Sequence, residues 1–354
     1  MSDSISILNE LVSFDSSNRA ELYACADWII DFAAKHGIKC ERVGDGLVLS
    51  NGKSGGRGLI LSGHIDVVPA ADQTWSTDPF AAAQKDGRIF GRGTTDMKGG
   101  VACMLNALAA SRYDFPLYLV LTGDEEGGGR NVGLILDHIK PEGKNLSCIV
   151  GEPTELKICD RHKGNQCFDI IFTGIPCHAA KPQNGVSAIY MFSDFVPMYR
   201  NLVAGMPDIT INVGKVSGGT ASNIIPEKCE CVIGHRFFNE KDADIINDGV
   251  RKIIEKILAD YPGGRIAASM VCNYYPLARA EKSRMRDLLT SAGAGPVETF
   301  GAVSEASAFQ RAGIDTVICG PGYLDMAHRP DEFTTVDMMD KYDALLADVL
   351  SDWR

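Results

Sequence analysis

The chain is short of positive charge: 35 Lys and Arg stand against 46 Asp and Glu, a net charge of -11. Phosphate backbones are bound by basic faces, so this balance argues against a nucleic-acid partner. No apolar run approaches the ~20 residues of a membrane-spanning helix, and no membrane partner is expected. The opening stretch MSDSISILNELVSF has no basic segment leading into a long apolar core, so a secretory signal is not expected. Eleven cysteines are present, but none is spaced as a CxxC pair. Several fall in apolar segments: Cys25 and Cys103 on expected helices, Cys167, Cys229, Cys231 and Cys319 on expected strands. Buried, reduced thiols fit this better than a disulfide framework, and the expected compartment is the cytoplasm. No cysteine is assigned to a metal. There is no internal repeat and no low-complexity tract.

What is present is an ordinary globular composition, 45% hydrophobic and 23% charged, over 354 residues. That length suggests two domains, or one large domain carrying an insertion. Residues 5–14 and 21–36 read as amphipathic helices. Residues 40–50 and 57–63 read as strands joined by the turn NGKSGGRG, and 71–90 as turn-rich, with Asp78-Pro79 and Asp86-Gly87. The apolar runs 117–121 and 148–150 read as buried strands, with helices at about 98–110 and 130–139. Alternating strands and helices imply an open, mostly parallel sheet, in which ligands bind beyond the carboxyl ends of the strands. Near residue 163 the character changes. Strand 168–172, helix 185–202, strands 209–216 and 229–238, helix 242–261 and strand 265–274 follow the β-α-β-β-α-β order of the ferredoxin-like split unit. The expected fold class is therefore α/β, with residues 1–163 and 276–354 forming a discontinuous main domain and 164–275 an inserted α+β domain. An exposed edge of that insert could pair with a second subunit. A helix near 282–293, a strand near 316–319 and a last helix from about 335 to 351 complete the main domain.

The segment LSGHIDVVPA, 61–70, is the pivot of the functional reading. His64 and Asp66 are two apart, so on an extended chain they share a side. Alone, the pair is most simply a histidine satisfied by a neighbouring acid at a strand end. Further along, however, the apolar segments keep ending in acids: Asp96 in a glycine-rich loop, Glu125-Glu126 after 117–121, and Glu152 after 148–150, with His328 late in the chain. Each carboxylate alone reads as a solvated loop acid. Together they make a mixed histidine and carboxylate set suited to two divalent cations of the zinc or cobalt type. One carboxylate must bridge cations about 3.5–4 Å apart, and Asp96 has the natural position for it. A base must then carry a proton from water to a leaving amine. Adjacent acids face different ways, so Glu126 is given the metal and Glu125 the proton, its carboxyl raised by an enclosed setting.

The motifs LSGHIDVVP, GRGTTDMKGG, GDEEGG, GEPT and AHRPDEF resemble those of the di-zinc amidohydrolases, a family of deacetylases, desuccinylases, aminoacylases and carboxypeptidases. They occur in the family's order over nearly the whole chain. The resemblance implies two zinc ions, with cobalt as a substitute, held by His64, Asp96, Glu126, Glu152 and His328. It implies that Asp66 orients His64, that Asp96 bridges and that Glu125 is the general base. It further implies a homodimer through the insert, whose His178, after Gly174, reaches the partner subunit's active site and stabilises the oxyanion. Asn223 in GGTASNIIP and Arg236 in GHRFF are implied to bind the substrate carboxylate. His178 could otherwise be a plain loop histidine and Arg236 an ordinary outward charge.

Within that family the likeness is greatest to the acetylornithine deacetylases. The stretches that carry it are GEPTELK with RHKG, GGTASNIIP, and VSEASAFQ before the GPG at 320–322. This implies N-α-acetylornithine as the small-molecule N-acyl amino acid substrate, yielding ornithine and acetate in arginine synthesis. Gly322 would line the substrate site, and Glu305 would meet the side-chain ammonium. The plainer reading of Glu305 is an acid at a helix N-terminus. DEEGGGRNVG departs from the best-known deacetylases. Succinyl-diaminopimelate, other N-acyl amino acids, and cleavage of dipeptides or peptide C-termini therefore stay open, as does a non-catalytic protein on the same fold.

Overall fold

Strands rich in Leu, Ile and Val that are buried on both faces pair best in the interior of a sheet covered by helices. The computed structural model describes residues 3–110, 112–141 and 145–353 and builds its main sheet on such strands. The central ones are Arg57–His64, Leu117–Thr122, Asn145–Val150 and Asp315–Ile318, which run parallel, Arg57–His64 between Leu117–Thr122 and Asn145–Val150. Gly46–Ser50 adds antiparallel to Leu117–Thr122, and Lys39–Val43 antiparallel to that. Lys157–His162 and Gly295–Phe300 extend the other edge to make eight strands. The fold is thus mixed α/β with a largely parallel central sheet, as the alternation of segments implied. Two local expectations change. Residues 40–50 form a hairpin, Lys39–Val43 with Gly46–Ser50, and Gly46–Ser50 does not neighbour Arg57–His64 because Leu117–Thr122 lies between them.

The helix Lys98–Ala109 is buried almost throughout. Its sequence KGGVACMLNALA is apolar apart from Lys98 and Asn106, both of which are hydrogen-bonded, as a helix enclosed in a core requires. It packs between the sheet and the helices Asp3–Val12 and Val336–Asp352. The turn-rich stretch 71–90 contains a short hairpin, Ala83–Lys85 with Arg88–Phe90. Its corner is Asp86-Gly87, both with positive φ (51° and 74°), the dihedral signature of a two-residue hairpin loop. Phe333–Thr335 pairs with Arg88–Phe90 and so ties the loop after His328 to the loop before Asp96.

The chain divides into two compact units, residues 1–161 with 279–354, and His162–Ala278. The second unit has its own antiparallel sheet, in the order Thr210–Gly218, Lys228–Phe237, Gly164–Thr173, Arg265–Tyr274. The helices Ala188–Leu202 and Glu240–Asp260 cover one face and form a separate core around Phe172, Phe195, Ile233 and Ile246. All eleven cysteines are free thiols, and among the described residues no helix is long and apolar enough to cross a membrane.

Inside that core, His235 is 1% exposed and its Nε2 lies 3.0 Å from Gln166 Oε1. Burial lowers the imidazole from its ordinary value of 6.5 to about 4. A depressed histidine pKa means that the unfolded chain takes up the proton first as pH falls. Stability is therefore complete above pH 6.5 and is lost between 6.5 and about 4, by ~3 kcal/mol in all. Amide protection factors in the strand Lys228–Phe237, taken relative to the intrinsic exchange rate at each pH, should fall across that window, and His235→Gln should flatten the dependence. An unchanged pH profile in the variant would show that His235 is not the group responsible.

Candidate metal centre

The parallel sheet delivers several of the candidate side chains to one edge because they lie at or just beyond the ends of its strands. His64 is the last residue of Arg57–His64, Glu125 and Glu126 follow Leu117–Thr122, and Glu152 follows Asn145–Val150. Asp96 lies just ahead of the helix Lys98–Ala109. That helix reaches the strand ends because Gly100 has no side chain: a Cβ there would run into the carbonyl of Gly151. His328 comes from the loop after the short turn Leu324–Met326, with φ 63° in the left-handed region.

The tertiary structure brings all five proposed ligands together. His64 Nε2 lies 3.1 Å from Asp96 Oδ1 and 4.0 Å from Glu152 Oε1. His328 Nε2 lies 2.7 Å from Glu126 Oε1 and 3.3 Å from Asp96 Oδ2. The two oxygens of Asp96 therefore face two different imidazoles, which is what a bridging acid must do. Donor atoms of His64, Asp96 and Glu152, of Asp96, Glu126 and His328, and of His64, Glu125 and Glu126 each fall within 4.8 Å of one another. His64 Nδ1 faces the backbone carbonyl of Asp66 at 2.9 Å. A carbonyl only accepts, so Nδ1 carries the proton, and the lone pair of a neutral ring is on Nε2, toward Asp96 and Glu152. The Asp66 carboxylate is farther from Nδ1, at 3.6 Å. It accepts the backbone N–H groups of Glu125 (3.2 Å) and Glu126 (2.9 Å), and so fixes the loop that carries both acids.

The electrostatics follow from crowding acids in a place with little water. Burial raises the Glu152 carboxyl well above its ordinary value, against the pull of His64, and the neighbouring carboxylates add to the rise. Burial likewise raises Glu125 to about 8, opposed by His64 and reinforced by Glu126, Asp96 and Asp66. Burial would raise Asp96 too, but hydrogen bonds from His328 and His64 hold it below the usual range. Hydrogen bonds to Asp96 and Glu126 raise His328 to about 10. A site with this surplus of carboxylates over imidazoles fits divalent cations, which supply the positive charge it lacks.

Glu305 is 5% exposed and does not cap the helix it precedes. Its Oε2 accepts the Thr122 hydroxyl at 2.7 Å, and Thr122 pairs with His64 in the sheet. Its Oε1 is buried without a hydrogen-bond partner. Gly322 has φ 97° and packs against Thr95 so closely that a Cβ would clash with the Thr95 hydroxyl, which accepts the Tyr323 N–H at 2.7 Å. The other three candidates belong to the second unit. His178 is exposed, and its Nδ1 accepts the Ala180 N–H at 3.1 Å, which leaves Nε2 as the donor of a neutral ring. Asn223 lies beside it, its carbonyl accepting the Ala179 N–H at 3.0 Å. Arg236 is exposed on the strand Lys228–Phe237, opposite in direction to buried His235. Two residues that the sequence reading passed over stand behind the centre. Glu332 and Arg92, 0% and 1% exposed, form an ion pair at 2.6 Å beneath the Asp96 loop. Both lie inside motifs already noted, but their pairing spans 240 positions and has no local signal.

A family model described as peptidase family M20/M25/M40 matches residues 60–352. The chain belongs to this family. Acetylornithine deacetylase of Myxococcus xanthus is 32% identical over 83% of this chain and 80% of its own length. That of Proteus mirabilis is 30% identical over 92% and 87%. In fold, this M20-family chain is similar to a dinuclear metal-binding M20 peptidase of Bacillus subtilis, with a TM-score of 0.72, 15% identity, and coverage of 98% of this chain and 96% of that one. The chain is accordingly a hydrolase of a metal-dependent, amide-cleaving family, as the motifs implied.

Cations that bind the native centre but not the unfolded chain add stability by mass action, ~2.7 kcal/mol at a hundredfold excess over Kd. Loading with Zn2+ or Co2+ should therefore raise the melting temperature, and a chelator should reverse the rise. An unfolding temperature indifferent to both would count against a metal centre.

Proposed function

We propose that this M20-family hydrolase removes the acyl group from an N-acyl amino acid, and that its substrate is N-α-acetylornithine. The observation that carries the metal-dependent reading is Asp96, whose two oxygens face His64 and His328 at 3.1 and 3.3 Å. In this reading His64, Asp96 and Glu152 hold one cation, and Asp96, Glu126 and His328 the other. The pair is Zn2+, with Co2+ as a substitute. A divalent pair bound there polarises the scissile carbonyl and lowers the pKa of water.

The remaining chemistry belongs to the chain's own groups. Glu125 takes a proton from the attacking water and returns it to the departing amine. Burial raises this carboxyl above its ordinary value, so it holds a proton taken from water more readily than a solvated acid and can pass it to the amine. Asp66 holds the backbone from which Glu125 projects. His178, with Nε2 as its donor, stabilises the oxyanion of the tetrahedral intermediate, and Asn223 and Arg236 receive the substrate carboxylate. These three act from the second unit, through which the protein forms a homodimer. Both edge strands of that unit are unpaired among the described residues, and Met270 and Val271 on one of them are 44% and 55% exposed. Glu305, with one buried oxygen lacking a partner, meets the side-chain ammonium. The similarity to the two acetylornithine deacetylases supports the same substrate.

The test is free-amine release by metal-loaded protein from N-α-acetylornithine, N-succinyl-diaminopimelate and a dipeptide in parallel. Turnover of the first alone is expected; preference for the dipeptide would move the protein among the peptidases. Glu125→Gln should keep its metal and lose at least ~100-fold in kcat. Activity at the original rate would remove Glu125 from the reaction. Glu305→Ala should raise KM for acetylornithine more than for an N-acetyl amino acid with a neutral side chain; equal effects would refute the ammonium contact.

A further inference from the structure

Beneath the candidate centre lies a polar circuit, buried at Glu332 and Arg92 and exposed at Gln73, that the reaction does not use. Glu332 directs one oxygen at the backbone: Oε1 accepts the N–H groups of Thr95 at 3.0 Å and Asp96 at 3.1 Å. Its other oxygen, Oε2, accepts Nη1 of Arg92 at 2.6 Å. Arg92 lies over the Trp75 ring at 5.1 Å, and its Nη2 donates to Gln73 Oε1 at 2.7 Å. Gln73 Nε2 then donates to the backbone carbonyl of His328 at 3.0 Å, and Arg92 Nη1 reaches the Arg329 carbonyl at 3.4 Å. The circuit runs from the backbone of Asp96 to that of His328 and joins three loops far apart in sequence.

Two features give this circuit a direction. His328 and Asp331 both hold positive φ, 63° and 55°, a conformation that costs energy for residues with a Cβ and persists only where the surroundings impose it. The surroundings impose it here: Gln73 and Arg92 hold the 328–329 carbonyls, and Asp331 Oδ1 accepts both the N–H (2.8 Å) and the hydroxyl (2.9 Å) of Ser76. Secondly, the circuit holds the shared ligand Asp96 and also His328, which belongs to one cation only, but neither His64 nor Glu152, which belong to the other alone. Asp96 and His328 hang from it by their backbones, whereas His64 and Glu152 are set by the ends of parallel strands.

We propose that Glu332, Arg92 and Gln73 are positioning residues for one half of the metal pair. By fixing the separation of Asp96 and His328 they set the affinity of the cation shared by Asp96, Glu126 and His328. The cation at His64, Asp96 and Glu152 depends on them far less. The inference rests on the two-cation reading above. Outer partners of ligand side chains commonly account for 10–100-fold in metal affinity, and here the same leverage acts through ligand backbones.

The experiment is stepwise titration of chelator-stripped protein with Zn2+ by calorimetry, with bound metal counted after dialysis. Unaltered protein, Glu332→Gln, Arg92→Lys and Gln73→Ala are compared. Glu332→Gln keeps an acceptor for the two N–H groups but loses the charge that orders Arg92. Gln73→Ala removes two hydrogen bonds, to Arg92 and to the His328 carbonyl, at an exposed position outside the core, and so leaves the fold intact. The expected result is a first equivalent within about threefold of the unaltered affinity and a second weakened ~10–100-fold in Glu332→Gln. Arg92→Lys and Gln73→Ala should shift in the same direction by less. Two equivalents bound as tightly in Glu332→Gln as in the unaltered protein would overturn the proposal. So would equal weakening of both in Gln73→Ala, which would indicate general loosening. Fewer than two equivalents in the unaltered protein would instead overturn the two-cation reading, and this inference with it.

Discussion

The mutual repulsion of buried carboxylates is the constraint on which this structure turns. Asp66, Asp96, Glu125, Glu126 and Glu152 crowd one edge of a sheet, with only His64 and His328 between them. Without compensation, such a cluster shifts toward neutral acids, as the raised carboxyls of Glu125 and Glu152 show. The fold supplies part of the compensation. Backbone N–H groups point at Asp66, and imidazoles point at both oxygens of Asp96. The rest calls for cations, and the same charge imbalance that makes the site costly makes it selective for them.

The scaffold accommodates this by separating rigid support from adjustable support. His64 and Glu152 stand at the ends of strands packed on both faces, where register leaves little freedom. Asp96, Glu126 and His328 come from loops, and loops hold a position only when something else fixes them. Asp66 does this for the Glu125-Glu126 loop, and the Arg92–Glu332 pair for the Asp96 loop. A buried ion pair adds little net stability over an apolar substitute, but losing one partner leaves an isolated buried charge. Such a pair therefore favours a single arrangement of the loops it joins, which is what a centre assembled from distant segments needs.

Much of this was legible in the sequence. Apolar runs ending in His64, in Glu125-Glu126 and in Glu152 follow from a parallel sheet, because burial on both faces demands continuous hydrophobicity and the strand tip meets solvent. The β-α-β-β-α-β order of the insert was legible too, since its helices carry clear amphipathic periodicity. Edge strands were not. Gly295–Phe300 is mostly exposed, and exposed strands carry no apolar alternation to read. The hairpin within 40–50 was missed although Gly44-Asp45-Gly46 marks its turn: the first arm, Lys39–Val43, is largely exposed and charged and carries no apolar pattern of its own.

By itself the sequence determined the alternating architecture, the inventory of ligand-type side chains and their order along the chain, because these depend on local pattern and residue chemistry. Only the tertiary structure decided which groups meet. It placed Asp96 between two imidazoles, gave the Asp66 carboxylate to two backbone N–H groups instead of to His64 alone, buried one oxygen of Glu305 without a partner, and paired Arg92 with Glu332. Each of these is a contact between segments far apart in the chain. Local periodicity carries no record of such contacts; they are set when helices and strands pack and the loops between them settle into the space that remains.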